Sequence, residues 1–340
     1  MRKELDLQRD YLADKNLTSI YFGGGTPSLI LEEDVLMFLD KINQQYVVET
    51  DAEITLEANP DDLTKEKLAT FKRAGINRLS IGIQSFYDDE LQLMNRSHNA
   101  MEAERCVKLA QDIGFENITI DLIFGLPGST LQKWQHNLDK AISLKVPHFS
   151  AYSLTVEPTT ALAKMIEKGK MSLPEESEVL LQYRALCQTT KKAGFTHYEL
   201  SNYGKPGFES RHNTSYWSGA PYLGIGPSAH SFNGHSRQWN IANNTLYTKN
   251  IDSGKAWFER EEISTKDAFN EFVMTGLRTS AGIILDEVEN KFHRSEQLLQ
   301  DAQAKLECGK LELNGDTLII PENEWMMSDS IISDLFWVNE

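Results

Sequence analysis

The sequence predicts an α/β fold built around a (β/α) barrel or part-barrel, followed by a small C-terminal domain. Over the first two-thirds of the chain one unit recurs: an apolar β-rich run, a polar loop, an amphipathic helix, and a glycine before the next strand. Strands that alternate with helices of this length form parallel βαβ units. Near-continuous apolar runs such as ITIDLIF indicate strands that are buried on both faces.

The elements of this barrel can be assigned in order. Strands are predicted at Thr18–Phe22, Ala52–Ala58, Arg78–Ile83, Asn117–Phe124, His148–Leu154 and Thr196–Ser201. Helices are predicted at Glu32–Gln45, Lys65–Ala74, Ala100–Ile113, Leu131–Leu144 and Glu175–Ala193. Gly75, Gly114 and Gly194 follow helices, where a left-handed residue is common. Asn99 with Glu102 predicts a capping box at the start of the third helix.

The pattern changes after residue 204, and we predict domains at 1–204, 205–263 and 264–340. Residues 205–263 are rich in Gly, Asn, Ser and His, but also in aromatics, which favours an ordered, loop-rich connecting segment over a flexible linker. The last segment predicts helices at Lys266–Leu277, Leu285–Phe292 and Glu296–Glu307, then a hairpin of Lys310–Leu313 and Thr317–Ile320 around an Asn-Gly turn. This winged-helix-like unit carries no basic stripe, so we favour a packing or lid role.

Composition excludes several classes of function. The formal net charge is −16 over 340 residues, which argues against binding to nucleic acid or to an anionic membrane. No apolar run approaches the ~18 residues of a membrane span. The first residues are charged and lack the apolar core of a signal peptide. We predict a cytoplasmic protein with no stable membrane insertion.

The stretch Ile20–Ser28, IYFGGGTPS, predicts a ligand-binding turn. Three apolar residues lead into three glycines, whose backbone can turn sharply and approach a ligand closely. Pro27 restricts the turn, and backbone N–H groups exposed at a strand end can bind an anion. A tight turn without a ligand is the alternative interpretation.

Polar residues follow several later strands, where ligands meet a (β/α) barrel. Glu57 and Gln84 come at strand ends, Arg96 follows Gln84 by twelve residues, and Asp121 lies inside an apolar run. A carboxylate in such a run is costly unless it is hydrogen-bonded. Carboxylates and an amide accept from ribose hydroxyls, and an arginine fork matches a carboxylate. The set indicates a nucleoside that carries an amino-acid group; hydrogen bonding at a barrel rim is the alternative.

The motifs GGGTPS, ITLEANP, GIQSF with NRSH, and DLIFGLPGST resemble the radical S-adenosylmethionine (SAM) superfamily, and more narrowly the oxygen-independent coproporphyrinogen III oxidase family. The resemblance implies a partial (β/α)6 radical-SAM barrel that lacks its first strand. It places the methionine end of SAM against Gly24, Gly25 and Thr26, and its carboxylate against Arg96. Glu57, Gln84 and Asp121 would form the wall around the ribose.

The second half, with HYELSNYGKPGFESRHNTSYW and YLGIGPSAHSF, resembles the haem-chaperone (HemW-like) branch of that family. The resemblance ties the H-N-x-x-Y-W element to haem, and the candidate residues are His212, Asn213, Tyr216, Trp217 and His230. A neutral imidazole can ligate iron, and aromatic faces can cover a porphyrin. The alternative is that these histidines only brace a loop.

The chain departs from the family pattern in its cysteines. The family carries C-x-x-x-C-x-x-C, whose thiolates hold a [4Fe–4S] cluster, whereas Cys106, Cys187 and Cys308 have no such spacing. Cys106 and Cys187 are predicted to be core residues of helices. We expect no radical chemistry from these 340 residues on their own. We also expect the reading frame to continue upstream of Met1 with a strand and the cysteine motif, because Leu5, Leu7, Tyr11 and Leu12 resemble the later part of an amphipathic helix.

Three hypotheses follow. The first is a haem-trafficking protein that binds haem and SAM, holds a [4Fe–4S] cluster when full length, and delivers haem to an accepting protein. The second is an oxygen-independent coproporphyrinogen III oxidase, which makes protoporphyrinogen IX. The third is a degenerate barrel that binds some nucleotide, which the intact set of pocket residues argues against.

Overall fold

The structure is a computed structural model that describes residues 1–158 and 160–338. The chain forms two compact units, each made of discontinuous segments. We call Ser19–Val35 with Glu53–Ser210 the barrel unit, and Met1–Thr18 with Leu36–Ala52 and Arg211–Glu340 the terminal unit. The chain passes from one unit to the other after residues 18, 35, 52 and 210. The division into 1–204, 205–263 and 264–340 follows motif order and stays a prediction.

The main sheet has seven strands and curls into a half-barrel. They are β1 (Asn16–Phe22), β2 (Val47–Ala58), β3 (Arg78–Gln84), β4 (Asn117–Phe124), β5 (His148–Ser153), β6 (Thr196–Glu199) and β7 (Asn202–Gly204). Their order is β1-β2-β3-β4-β5-β7-β6. Neighbours from β2 to β5 are parallel, as the βαβ pattern predicts. The predicted α/β half-barrel is therefore confirmed.

The predicted sixth strand is present, but it is shorter than expected and does not pair with β5. β6 ends at Glu199, the chain reverses, and β7 lies antiparallel between β5 and β6. The Glu199 carboxylate accepts from the Ser201 N–H at 3.3 Å and from the side-chain amide of Asn202. This local hydrogen bonding stabilises the reversal, which an apolar pattern does not reveal.

The five helices predicted for the (β/α) pattern are confirmed, with ends within about two residues of the prediction. Together with two further helices they are α2 (Glu32–Gln45), α3 (Lys65–Ala74), α4 (Asp88–Leu93), α5 (Ala100–Asp112), α6 (Leu131–Ser143), α7 (Ala161–Glu167) and α8 (Glu176–Lys192). The short helices α4 and α7 were not predicted. The capping box of Asn99 and Glu102 is confirmed, with both reciprocal hydrogen bonds present. Gly75 ends α3 in the left-handed conformation, as predicted.

The core of the barrel unit lies between strands and helices. Its fully buried side chains include Leu79, Ile81, Ile83, Ile118, Ile120, Leu122 and Phe149 from the strands, and Phe71, Val107, Trp134 and Leu186 from the helices. β3 is buried along nearly its whole length, which agrees with the predicted strand covered on both faces. A sheet packed in this way leaves its strand ends and the loops that follow them for ligand contacts.

The terminal unit is more regular than predicted. It contains α1 (Arg2–Leu7), α9 (Arg211–Trp217), β8 (His230–Phe232), β9 (Ser236–Asn240), α10 (Asn244–Ser253), β10 (Phe258–Glu262), α11 (Thr265–Gly276), β11 (Ile283–Ile284), α12 (Leu285–Phe292), α13 (Ser295–Glu307), β12 (Glu312–Asn314), β13 (Thr317–Ile319) and α14 (Ser328–Ser333). Strands β8, β9 and β10 form an antiparallel sheet. The C-terminal helices and the hairpin are confirmed, and β11 joins that hairpin.

Two expectations for the terminal unit need correction. The segment predicted to be rich in loops contains α9, which was missed because its Asn, Thr, Ser and His residues have weak helix propensity. At the N-terminus, Leu5 and Leu12 are buried as predicted, but Leu7 is 52% exposed. Among the described residues, no helix has the length and apolarity needed to cross a membrane.

Candidate functional site

A cavity of about 230 Å³ lies at the strand ends of the barrel unit. Its lining residues are Gly25, Thr26, Pro27, Ser28, Glu57, Ala58, Asn59, Ser80, Gly82, Gln84, Arg96 and Asp121. The structure thus brings together six of the seven residues predicted to bind SAM. The seventh, Gly24, contacts Glu57 from the same turn.

The glycine turn has the geometry that its sequence predicts. Gly24 and Gly25 have φ of 75° and 72°, values that favour glycine. Gly23 is required for a different reason, because a Cβ there would lie 2.3 Å from the Tyr21 ring. A 3₁₀ turn, Pro27–Leu29, follows and completes this wall of the cavity.

The Glu57 carboxylate is held in place by two donors. The Tyr21 hydroxyl donates to one oxygen at 2.7 Å, and the Gly24 N–H donates to the other at 3.0 Å. Burial, together with the Glu57 charge, raises the pKa of Tyr21, so this phenol remains a donor. The two bonds fix the carboxylate and leave its remaining lone pairs for ligand hydroxyls or an ammonium group.

Gln84 reaches the cavity through an unusual backbone. Its φ is 70°, and the register between β3 and β4 shifts between Ile81 and Gln84. A left-handed non-glycine residue is strained, and such strain clusters at binding sites. A bulge of this kind also redirects a side chain. Buried His98 stabilises the segment, since its Nε2 lies 3.0 Å from the carbonyl oxygen of Ile83.

Arg96 and Asp121 give the cavity its charge. The Arg96 guanidinium donates to the carbonyl of Gly82 at 3.3 Å, and a Cβ at position 82 would lie 2.9 Å from its Nη2. Burial lowers the pKa of Arg96, which still leaves it a cation. Burial raises the pKa of Asp121 to about 6, and the negative charge of Glu57 adds to the shift. One cation and two carboxylates can bind a zwitterionic amino-acid group and a ribose diol.

Several cavity residues were missed from the sequence. Ser80 and Gly82 lie on one face of β3, at the period of two that a strand imposes, and both line the cavity. Their small size leaves the space that Arg96 and a ligand need. This spacing was a usable signal. Asn59 lies in the quoted motif ITLEANP, two residues after Glu57, but was not singled out as a site residue.

The residues predicted to bind haem lie in the terminal unit, on α9 and β8. His212 packs edge-on against Tyr216 with ring centroids 4.9 Å apart, Tyr216 contacts Tyr222 at 4.7 Å, and Tyr222 lies 6.4 Å from Phe232. We call His212, Tyr216, Tyr222 and Phe232 the aromatic row. It is a partly exposed aromatic surface with an imidazole at one end.

The other predicted haem residues are arranged differently. Exposed His230 lies 6.4 Å from Trp239 on β9 rather than in the aromatic row. The buried indole N–H of Trp217 has no hydrogen-bond partner among the described residues. Asn213 lies on α9, whose first residue Arg211 pairs with Asp51 at 3.0 Å. His230 lies two residues before Phe232 on β8 and shares its sheet face, but its ring contact is with Trp239.

The cysteines do not fit an iron–sulfur cluster. Cys106 is buried in α5, Cys187 lies in α8, and exposed Cys308 follows α13. Burial raises the pKa of Cys106 to about 12, so its thiol is protonated rather than a ready metal ligand. Three cysteines that lie in or directly after three different helices, one of them a core residue, are a poor donor set for a cluster.

Comparison with known proteins gives the family. The radical SAM superfamily matches residues 2–141, and the HemN C-terminal domain matches residues 263–327. The heme chaperone HemW of Bacillus subtilis is 39% identical over 82% of this chain and 74% of that protein. The heme chaperone HemW of Mycobacterium tuberculosis is 32% identical over 98% of this chain and 85% of that protein.

A solved structure supports the fold. The coproporphyrinogen III oxidase HemN from Escherichia coli, described as a radical SAM enzyme, superposes with a TM-score of 0.84 at 19% identity. The match covers 98% of this chain and 81% of that one.

The fold and the matching family models define a protein of the radical SAM superfamily, which implies SAM and a [4Fe–4S] cluster as cofactors. More narrowly, the chain belongs to the heme chaperone HemW family. The predicted resemblance is confirmed at both levels.

Proposed function

We propose that this chain binds haem at the aromatic row and delivers it to an accepting protein, with SAM bound in the barrel unit. The observation that carries the proposal is the packing of His212 at one end of a continuous, partly exposed run of aromatic rings. An imidazole can ligate the iron, and the rings offer faces to the porphyrin. The relatives' description as heme chaperones supports the same function.

In the barrel unit, the donor set of the cavity fits SAM. Arg96 would bind the carboxylate of SAM, and Gly24, Gly25 and Thr26 would contact its methionine end. Glu57, Gln84 and Asp121 would accept from the ribose hydroxyls and form the surrounding polar wall. SAM supplies a sulfonium that a reduced cluster can cleave to a radical. Because the cysteines of this chain do not fit a cluster, we assign SAM a supporting role here.

The first test is titration of haemin into the purified 340-residue chain. We expect a shift of the Soret band, and we expect His212→Ala to diminish it because the proposed axial ligand is lost. His235→Ala is the matched control, since His235 is exposed in the turn between β8 and β9 and lies outside the aromatic row.

An unchanged spectrum in His212→Ala would remove His212 as the iron ligand. The alternative oxidase function expects no dependence on His212, whereas it requires conversion of coproporphyrinogen III to protoporphyrinogen IX. Turnover of that substrate by the chain would favour the alternative.

A further inference from the structure

The aromatic row ends at a cation. Arg237 lies on β9 directly opposite Phe232, and its guanidinium carbon is 5.6 Å from the centre of the Phe232 ring. The Arg237 charge also acts on the Tyr222 hydroxyl, where it opposes the rise in pKa that burial causes. Directly opposed residues of an antiparallel pair project from the same face of a sheet. Arg237 therefore belongs to the surface that begins at His212.

Arg237 is held by Glu271 of α11 as a bidentate pair. Its Nη1 donates to one carboxylate oxygen at 2.6 Å, and its Nη2 donates to the other at 2.9 Å. The side chains of Arg237 and Glu271 are 29% and 30% exposed. A pair with this much contact with water can exchange one carboxylate for another at modest cost, because neither charge has to be buried alone.

Haem has the complementary pattern of groups. It is a flat apolar ring with iron at its centre and two propionate carboxylates along one edge. A surface that offers an imidazole, then aromatic rings, then a guanidinium matches iron, ring and carboxylate in that order. Arginine is suited to the last position, since its planar fork binds a carboxylate with two parallel hydrogen bonds.

We propose that Arg237 is the anchor for a haem propionate, and that Glu271 occupies the anchor until haem displaces it. The inference rests on the proposed binding of haem at the aromatic row. In the haem-free protein Glu271 keeps the guanidinium in the bidentate orientation that a propionate needs. On binding, the propionate replaces the Glu271 carboxylate, and no covalent bond changes.

The test compares two iron porphyrins, haemin and haemin dimethyl ester. The propionates are charged in haemin and uncharged in the ester. For haemin, we expect Arg237→Gln to raise the Kd about tenfold, the factor for losing one charge-assisted contact that is partly exposed. We expect Glu271→Gln to lower it about threefold or more, because a competitor for Arg237 is removed. For the dimethyl ester, both substitutions should leave the Kd within about twofold.

Glu261→Gln is the matched control. Glu261 is exposed and lies opposite Arg237 on β10. The substitution therefore removes one negative charge from the same sheet face and leaves the bidentate pair of Arg237 and Glu271 intact. It should change the Kd for haemin by less than about twofold. The opposite effects of Arg237→Gln and Glu271→Gln separate the proposal from a structural role, because breaking a structural ion pair from either side would weaken binding of both porphyrins.

The experiment distinguishes failure of the propionate anchor from failure of the proposed haem binding. If neither porphyrin binds the unmodified chain, the haem site itself is wrong and this inference falls with it. If both bind but Arg237→Gln affects them equally, or Glu271→Gln weakens haemin binding, only the propionate anchor is overturned.

Discussion

Arg96 is the residue in the cavity whose charge is most specific for its proposed ligand. Its guanidinium lies among Gly82, Gln84 and Asp121, and burial weakens the competition from water. We predict that Arg96→Ala weakens SAM binding at least tenfold, through loss of one charge-assisted hydrogen bond. Arg105→Ala, an exposed arginine on α5, should have no effect. Ligand-observed NMR detects weak binding and suits this comparison; equal SAM affinity in Arg96→Ala and in the unmodified chain contradicts the prediction.

Individual residues could be assigned to the cavity from the sequence where the topology of the sheet fixes their positions. Glu57 and Asp121 could be placed in one cavity because parallel strands bring their carboxyl ends to one edge. Sequence reasoning failed for Glu4, whose buried carboxylate accepts from the Gly226 N–H at 2.9 Å and from the Tyr247 hydroxyl. Both partners are more than 200 residues away from Glu4 in the sequence. No periodicity in the sequence encodes such a contact.

At the scale of elements, the reversal between β6 and β7 contains a titratable group. Buried Glu199 stabilises that reversal, and burial raises its pKa from the ordinary 4.5 of a glutamate to about 7. The folded protein therefore binds this proton more tightly than the unfolded chain. The resulting stability is fully present below about pH 4.5 and is lost as pH rises through 7.

We predict that Glu199→Gln, which cannot ionise, removes this pH dependence. Relative to the variant, the unmodified chain should lose up to roughly 3 kcal/mol of unfolding free energy between pH 4.5 and 8, at about 1.4 kcal/mol per pKa unit. Chemical denaturation across this range measures the difference. Glu167→Gln, at an exposed position on α7, is the control. A difference between Glu199→Gln and the unmodified chain that is constant with pH contradicts the prediction.

Elements were predicted well where local signals are strong. The start of α5 follows from the Asn99 capping box, and the end of α3 follows from Gly75. α9 and β7 could not be predicted in this way. Each is short, and each depends on contacts with other segments, as in the pair that Arg211 forms with Asp51.

For the whole molecule, the order of the sequence patterns along the chain does not coincide with the division into compact units. Residues 1–18 and 36–52 belong to the terminal unit together with everything after residue 210, although the βαβ pattern runs through them without interruption. Local patterns report the type of each element, whereas a compact unit is defined by contacts between distant segments. The fold class can therefore be predicted from local patterns, whereas the membership of a compact unit cannot.

The distribution of cysteines over the whole molecule leads to the last prediction. A [4Fe–4S] cluster is held by thiolates that converge on one site, usually from one closely spaced motif. Here Cys106 is buried and protonated within α5, Cys187 lies on α8, and Cys308 belongs to the terminal unit. After anaerobic reconstitution with iron and sulfide, this 340-residue chain should hold far fewer than about four irons. Cys308→Ser should leave the iron content unchanged, because a single exposed thiol cannot hold a cluster. Close to four irons per chain, with matching sulfide content and cluster absorbance, would contradict the prediction and would require ligands other than a cysteine triad.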